Sequence, residues 1–237
     1  MTETYMTDYL ETKVKTTARR TKAIQAACVV AAAVGLVGGM TVTAVLYALI
    51  PWSVVLLCVV GKHGSSYRWG MVGEERLRTR LRQILPEGSA VFHNVPVGDG
   101  DIDCVAVTRC GVWAFESKYL SGEVSCVNGH WCRLRNRDGE VYPESLRSPS
   151  AQLARAIGDL KSYLAAQGVQ TWIRGAVVFT HPRVDLRVAG LNNMSAVTLS
   201  GLTALPPGPD LLEGTRSAII EALMELKAKT TVRRRCA

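Results

Sequence analysis

Residues 101–120 read DIDCVAVTRCGVWAFESKYL, and the predicted fold follows from this stretch. Two runs with strand character, residues 101–108 and 111–120, flank the short turn Arg109-Cys110, which predicts a β-hairpin. Apolar side chains occur on both faces of each run, a pattern typical of strands that are covered on both sides. We therefore expect this hairpin to lie at the centre of a packed sheet.

The charged residues of the hairpin gather at the end away from the turn. Counting outward from a two-residue turn places Asp103 opposite Glu116, as same-face neighbours about 5 Å apart. A bulge at Gly111 would shift this register by one residue. Lys118 lies two residues beyond Glu116 on the same face and brings positive charge to the pair.

Two carboxylates at the rim of a buried sheet repel each other, so this pairing indicates a cation between them. Carboxylate oxygens suit Mg²⁺ or Mn²⁺, and a metal ion held beside a lysine is suited to activating water for attack on a phosphodiester. The alternative is a salt-bridge cluster of Asp103, Glu116 and Lys118 that only stabilises the hairpin.

Amphipathic helices are predicted before and after the hairpin. Apolar residues recur at helical spacing in GEERLRTRLRQIL, which predicts a helix over 73–85. Glu74 lies at the start of its core-facing side, where it either joins the carboxylates or only favours the helix dipole. Ser148 as N-cap, followed by a proline, predicts a second helix to about Ala166.

The remaining faces of the first helix are rich in arginine. These side chains either follow a nucleic-acid backbone, lie against a membrane or are simply solvated. The nucleic-acid interpretation assigns them as phosphate contacts: Arg76, Arg78, Arg80 and Arg82.

Further strand and helix patterns complete the domain. Asn128-Gly129 between two short strand candidates is a strong hairpin signal. The sequence of elements predicts an α/β domain with one mixed sheet and helices on both sides. The predicted ranges are strands at 90–95, 123–127, 131–134, 174–180 and 196–199 and a final helix at 210–229.

Residues 23–60 contain no charged side chain. One membrane-spanning helix needs about 20 apolar residues, so this run predicts a hairpin of two transmembrane helices. A single tilted helix that ends at Pro51, or a cleaved signal peptide, are the alternatives. Basic residues flank both ends, which places both in the cytoplasm. The predicted organisation is a leader at 1–22, the membrane segment at 23–60, a linker at 61–69, a soluble domain at 70–229 and a basic tail at 230–237.

Composition limits the remaining possibilities. The 237 residues are 48% hydrophobic and 20% charged, too apolar for a disordered chain. A formal net charge of +8 favours anionic partners such as nucleic acid or phospholipid. The seven cysteines form no CxxC pair, which supports neither a disulfide framework nor a zinc site. The motifs of P-loop nucleotide hydrolases and of serine hydrolases are missing from the sequence.

Several motifs together resemble the nuclease-related domain (NERD) family of the PD-(D/E)xK nuclease superfamily, over about Gly70 to Leu205. They are Gly73-Glu74, the GxID element Gly100–Asp103, Gly111-Val112, the ExK element Glu116-Ser117-Lys118, Ser148-Pro149 with Gln152, and the strand Ala176–Thr180. The resemblance implies a restriction-endonuclease-like fold. It implies metal-linked acids at Glu74, Asp103 and Glu116. It also implies that Lys118 positions water or stabilises the phosphorane charge and that Gln152 lines the same site.

One position departs from the family pattern, because Cys104 stands where the family commonly has a histidine. The resulting hypothesis is a membrane-anchored nuclease that uses Mg²⁺ or Mn²⁺ to hydrolyse nucleic acid, with DNA as the expected substrate. We expect it at the inner (cytoplasmic) membrane, with the soluble domain facing the cytoplasm. One alternative is a catalytically inactive module of the same fold that binds nucleic acid or a protein partner at the membrane. Another is a structural protein whose basic faces meet anionic lipid.

Overall fold

The computed structural model of the protein describes residues 68–137, 140–191, 194–205 and 207–235. The chain divides into two units, and the second, Trp69–Ala237, holds all of the described residues except Arg68. The predicted leader, the predicted pair of transmembrane helices and most of the predicted linker lie outside the described residues. Within the ranges that the structure describes, none of the helices is long and apolar enough to cross a membrane.

The described part of the chain contains nine strands. They are β1 Ala90–Val97, β2 Gly100–Thr108, β3 Gly111–Lys118, β4 Gly122–Val127, β5 His130–Arg137, β6 Glu140–Leu146, β7 Ile173–Phe179, β8 Val184–Ala189 and β9 Met194–Thr198. The main sheet has the order β1-β2-β3-β7-β9, and a smaller sheet has the order β6-β5-β4-β8. Each sheet mixes parallel and antiparallel pairs.

The predicted central hairpin is confirmed as β2 and β3. Thr108 pairs with Gly111, and the register continues without a bulge to Cys104 opposite Phe115. Gly111 has a φ of 108°, which a residue with a Cβ atom rarely adopts. The side chain of Thr108 closes the turn, because its Oγ1 accepts a hydrogen bond from the backbone N–H of Cys110 at 3.1 Å.

The prediction of one mixed sheet is corrected to two sheets. The Asn128-Gly129 turn forms as predicted, with φ values of 50° and 81°. The strands β6 and β8, which extend this hairpin into a four-stranded sheet, were not predicted. Pro143 lies inside β6, and a proline within a run argues against a strand. In β8, half-buried Val184 and Leu186 alternate with exposed Asp185 and Arg187, a strand signal that the prediction missed.

Three helices are described, together with a short 3-10 helix at Ser200–Ala204. They are α1 over 68–84, α2 Pro149–Ala166 and α3 Glu213–Arg235. The predicted second helix is confirmed as α2, with Ser148 Oγ accepting a hydrogen bond from the N–H of Ala151 at 3.2 Å. Residues 68 and 69 of the predicted linker are already helical, and α3 continues past the predicted end at Lys229.

Two apolar clusters cover the two faces of the main sheet, as expected for a sheet buried on both sides. One face packs against α2, α3 and side chains of the smaller sheet, including Leu153, Leu223 and Trp131. The other face packs against α1 and the 3-10 helix, through Leu77 and Leu81. The helix before the hairpin and the helix after it therefore lie on opposite faces of β3.

Candidate active site

The carboxylate of Glu116 is the centre of the candidate site. Its side chain is 4% exposed, near the end of β3. Lys118 Nζ donates a hydrogen bond to Glu116 Oε1 at 2.6 Å, and Gln152 Nε2 donates to the same oxygen at 2.8 Å. Among the described residues no donor reaches Glu116 Oε2. One oxygen of this buried carboxylate thus accepts two hydrogen bonds, whereas the other accepts none from the described residues.

Asp103 lies beside this pair, as the confirmed hairpin register requires. Its Oδ2 accepts a hydrogen bond from the backbone N–H of Ser117 at 2.7 Å, which fixes the carboxylate at the end of β3. Burial and the charge of Glu116 raise the pKa of Asp103, although the hydrogen bond from Ser117 opposes the shift. The two acids therefore repel each other in the way that the sequence predicts.

Glu74, on α1, adds a third carboxylate near Asp103 and Glu116, and we call these three residues the acidic group. Burial raises its pKa, the Arg78 guanidinium opposes this, and Glu116 and Asp101 raise it further. No hydrogen bond to the Glu74 carboxylate is made by the described part of the chain. Asp101 was not among the predicted site residues, yet it lies two residues before Asp103 on the same face of the strand, and that spacing is a signal in the sequence.

Gln152 reaches Glu116 because it lies in the first turn of α2, which begins at Pro149. Its neighbour Leu153 is fully buried under the sheet, so the first turn of the helix faces β3. Trp131 Nε1 donates a hydrogen bond to Ser150 Oγ at 3.0 Å, which ties that turn to the smaller sheet. The prediction that Gln152 faces inward and lines the same site is consistent with this geometry.

The chemistry of the acidic group fits a hard divalent cation. Asp103 Oδ1 and Glu116 Oε2 are carboxylate oxygens without a hydrogen-bond partner among the described residues. Across the same residues, no set of three or more His, Cys, Asp or Glu side chains is close enough to hold a metal ion. Mg²⁺ usually keeps several waters and takes only one or two carboxylates together with substrate phosphates. Two carboxylates thus meet the ordinary requirement of this ion.

Cys104 does not take part in the acidic group. Its side chain is 1% exposed and packs with Leu77 and Leu81, on the face of the sheet opposite Glu116. Burial raises the pKa of the thiol, so it stays protonated at neutral pH. A side chain at this position points into the core beneath α1.

The four arginines of α1 fall on two sides of the helix, because residues two apart differ by about 200° around its axis. Arg76 and Arg80 lie beside a surface cavity. Arg78 pairs with Glu75 at 3.0 Å and its side chain is only 13% exposed. Arg82 is exposed on the same side as Arg78. The structure does not bring all four together on one surface.

Residues 69–180 match the family described as NERD, the nuclease-related domain. The matched segment begins in α1 and ends directly after β7, so it contains Glu74, Asp103, Glu116, Lys118 and Gln152, and it is shorter than the resemblance in the sequence suggested. The match supports a nuclease-like function for this part of the chain. The chain has no significant match among curated proteins or among solved structures.

Proposed function

We propose that this protein is a metal-dependent nuclease that hydrolyses nucleic-acid phosphodiesters. The observation that carries the proposal is the buried carboxylate of Glu116, held through one oxygen by Lys118 and Gln152 with Asp103 beside it. A surface ion pair needs neither a glutamine donor to the same oxygen nor a second carboxylate next to it. This set of groups is suited to a divalent cation, whose preferred ligands are carboxylate oxygens.

The side chains have separate tasks in this proposal. Asp103 and Glu116 hold a Mg²⁺ or Mn²⁺ ion, and Glu74 adds negative charge from α1. Such an ion makes water more acidic and stabilises charge on a phosphoryl oxygen. Lys118, whose side chain is 29% exposed, places a positive charge where the phosphorane develops. Gln152 holds the Glu116 carboxylate in its orientation.

The cellular setting is also part of the proposal. The uncharged residues 23–60 anchor the chain in the cytoplasmic membrane, and the domain that carries Glu116 faces the cytoplasm. DNA is the first substrate to test, because the net charge of +8 favours a polyanion.

The test uses the full chain in a non-ionic detergent. Mn²⁺ binding is measured by titration calorimetry, and cleavage is measured on plasmid, linear duplex and single-stranded DNA and on RNA. Glu116→Gln should remove Mn²⁺ binding and cleavage together, and Lys118→Met should lower cleavage by about 10²- to 10³-fold while Mn²⁺ still binds. Glu221→Gln on the exposed side of α3 is the matched control and should behave as the parent protein.

A catalytically inactive module that binds nucleic acid is the second candidate. It is favoured by one observation, that the Lys118 ammonium and the Gln152 amide both donate to Glu116 Oε1 and so already balance part of the charge of that carboxylate. Absence of Mn²⁺ binding and of cleavage in the parent protein, with nucleic-acid binding retained, would establish this candidate and refute the nuclease.

A further inference from the structure

A cavity of about 510 Å³ opens at the ends of β7 and β9, beside α1. It is lined by both charged and hydroxyl-bearing side chains, and none of its lining residues among those the structure describes is acidic. The polar lining residues are Arg76, Arg80, Thr180, His181, Thr198 and Ser200. Guanidinium and hydroxyl donors around one opening are the groups that bind a phosphate.

The electrostatic field at the cavity is positive. His181 lies in its wall, and its pKa is lowered by burial and then by Arg183, Arg76 and Arg133. Three cations thus act on one imidazole, two of them from outside α1. An anion that enters the cavity would meet this field without opposition from a carboxylate in the lining.

An aromatic surface adjoins the cavity through the same histidine. The ring of Trp69 stacks on Tyr119, with a centroid distance of 5.5 Å and an interplanar angle of 3°. Tyr119 in turn contacts His181 edge to face at 4.7 Å. Trp69 is nevertheless 54% exposed. We call Trp69, Tyr119 and His181 the aromatic platform.

The geometry of α1 places the platform and the cavity in line. Trp69, Arg76 and Arg80 are separated by seven and four residues, so they share one side of the helix. Gly73 lies between them and allows α1 to approach the strand ends closely, since a Cβ there would lie 2.8 Å from Thr180 Oγ1 and 3.2 Å from Tyr119 Cβ. The helix therefore presents an exposed indole and two guanidinium groups along one continuous surface.

We propose that the aromatic platform and the cavity bind a segment of single-stranded nucleic acid, with a base stacked on Trp69 and a phosphate held by Arg76 and Arg80. Stacking combined with cationic side chains is how proteins bind single strands without reading their sequence. A duplex keeps its bases stacked on each other and cannot offer a face to Trp69.

This inference rests on the proposed nuclease function and deepens it by naming the form of the substrate. The backbone N–H of Thr180, in the cavity wall, donates to the carbonyl oxygen of Lys118 at 3.0 Å. The platform and the Glu116 carboxylate therefore both lie near the C-terminal ends of β3 and β7, on opposite faces of the main sheet. A single nucleic-acid strand bound on the platform can pass over the ends of β3 and β7 to reach Lys118.

The test measures binding in EDTA, so that cleavage does not interfere. The full chain in non-ionic detergent is titrated into fluorescently labelled oligothymidylate, and fluorescence anisotropy gives the Kd at several salt concentrations. Arg76→Ala combined with Arg80→Ala should weaken binding and lower the slope of log K against log salt by roughly 0.7 for each phosphate that is no longer neutralised. Trp69→Ala should weaken binding about tenfold with an unchanged slope, and Trp69→Phe should restore most of the affinity.

Matched controls are available on the same domain. Trp172 is 55% exposed on another surface and Arg155 is exposed on α2, so Trp172→Ala and Arg155→Ala should leave the Kd unchanged. Equal binding of a duplex of the same length, or equal effects of Trp69→Ala and Trp172→Ala, would overturn the inference. Because binding in EDTA does not need Glu116, a parent protein that binds the oligonucleotide but cleaves no nucleic acid would count against the nuclease and not against this site.

Discussion

Replacing Gly73 by alanine tests how α1 is positioned against the main sheet. The added Cβ would lie 2.8 Å from Thr180 Oγ1, 3.2 Å from Tyr119 Cβ and 3.3 Å from Ser117 Oγ. Thr180 is only 1% exposed, so its side chain has little space to move, and Tyr119 Cβ moves only with its backbone. The helix itself must therefore shift away from the strand ends.

The expected cost follows from two opposing effects. Overpacking a tight contact costs about 1–3 kcal/mol, whereas alanine in place of glycine inside a helix gains about 0.5–1 kcal/mol. The net result is a destabilisation of about 1–2 kcal/mol, equivalent to a decrease in Tm of about 2–8 °C for a domain of this size. Glu74 follows Gly73 directly, so cleavage should fall as well.

Gly70 offers a matched control on the same helix, because a Cβ there would meet nothing within 4 Å. Gly70→Ala should keep or slightly raise the Tm. The assay is thermal unfolding of the full chain, followed by near-ultraviolet circular dichroism. A Gly73→Ala protein as stable as Gly70→Ala would refute the close approach of α1 to β3 and β7.

Three further predictions concern the acidic group and its surroundings. The pKa of Asp103 is raised in the folded state. The contribution of this group to stability is therefore complete below the ordinary carboxyl range near pH 4 and is lost as the pH rises through the folded-state pKa. Asp103→Asn should melt at a higher temperature than the parent at pH 8 in EDTA, and an equal Tm would contradict the repulsion between the two carboxylates. Cys104→Ala should leave kcat unchanged and cost about 1 kcal/mol of stability, since the side chain only fills core space. In the parent protein, the half-buried Cys110 should react with iodoacetamide before Cys104 does, and mass spectrometry of the labelled peptides would show this order. Gln152→Leu, which keeps the size but removes the donor to Glu116, should lower kcat about tenfold or more in the cleavage assay with little change in Tm, and unchanged kcat would remove Gln152 from the site.

Local patterns in the sequence were sufficient for the elements nearest the site. The two-residue turn at Arg109-Cys110 predicts one hairpin register when no bulge is present, because the turn length sets the pairing. The structure shows that Gly111 forms no bulge. Ser148 with the following proline fixes the start of α2 by hydrogen bonding and by backbone geometry. The cluster of Asp103, Glu116 and Lys118 was therefore predicted from the sequence, with the register confirmed by the structure.

Contacts between distant segments were not accessible in this way. The smaller sheet needs β8 to pair with β4 across some 60 residues of chain. The alternation of apolar and charged residues in β8 indicates a strand, but it does not indicate the strand's partner. The four arginines of α1 were predicted to act together as phosphate contacts. Their spacing alone separates Arg76 and Arg80 from Arg78 and Arg82 around the helix. What each pair faces depends on the segments packed around α1.

Local sequence patterns predicted the central hairpin, the two helices that flank it, and Asp103, Glu116 and Lys118 at one end of the hairpin, because turns, caps and side-chain periodicity act over a few residues. Long-range packing was needed to show that Gln152 donates to Glu116, that Cys104 faces the core, and that Tyr119 contacts both Trp69 and His181 beside a basic cavity. The contacts of Gln152 with Glu116, of Trp69 with Tyr119 and of Tyr119 with His181 join residues from 36 to 62 positions apart. They form only when burial of the two apolar clusters brings those segments together on the two faces of one sheet.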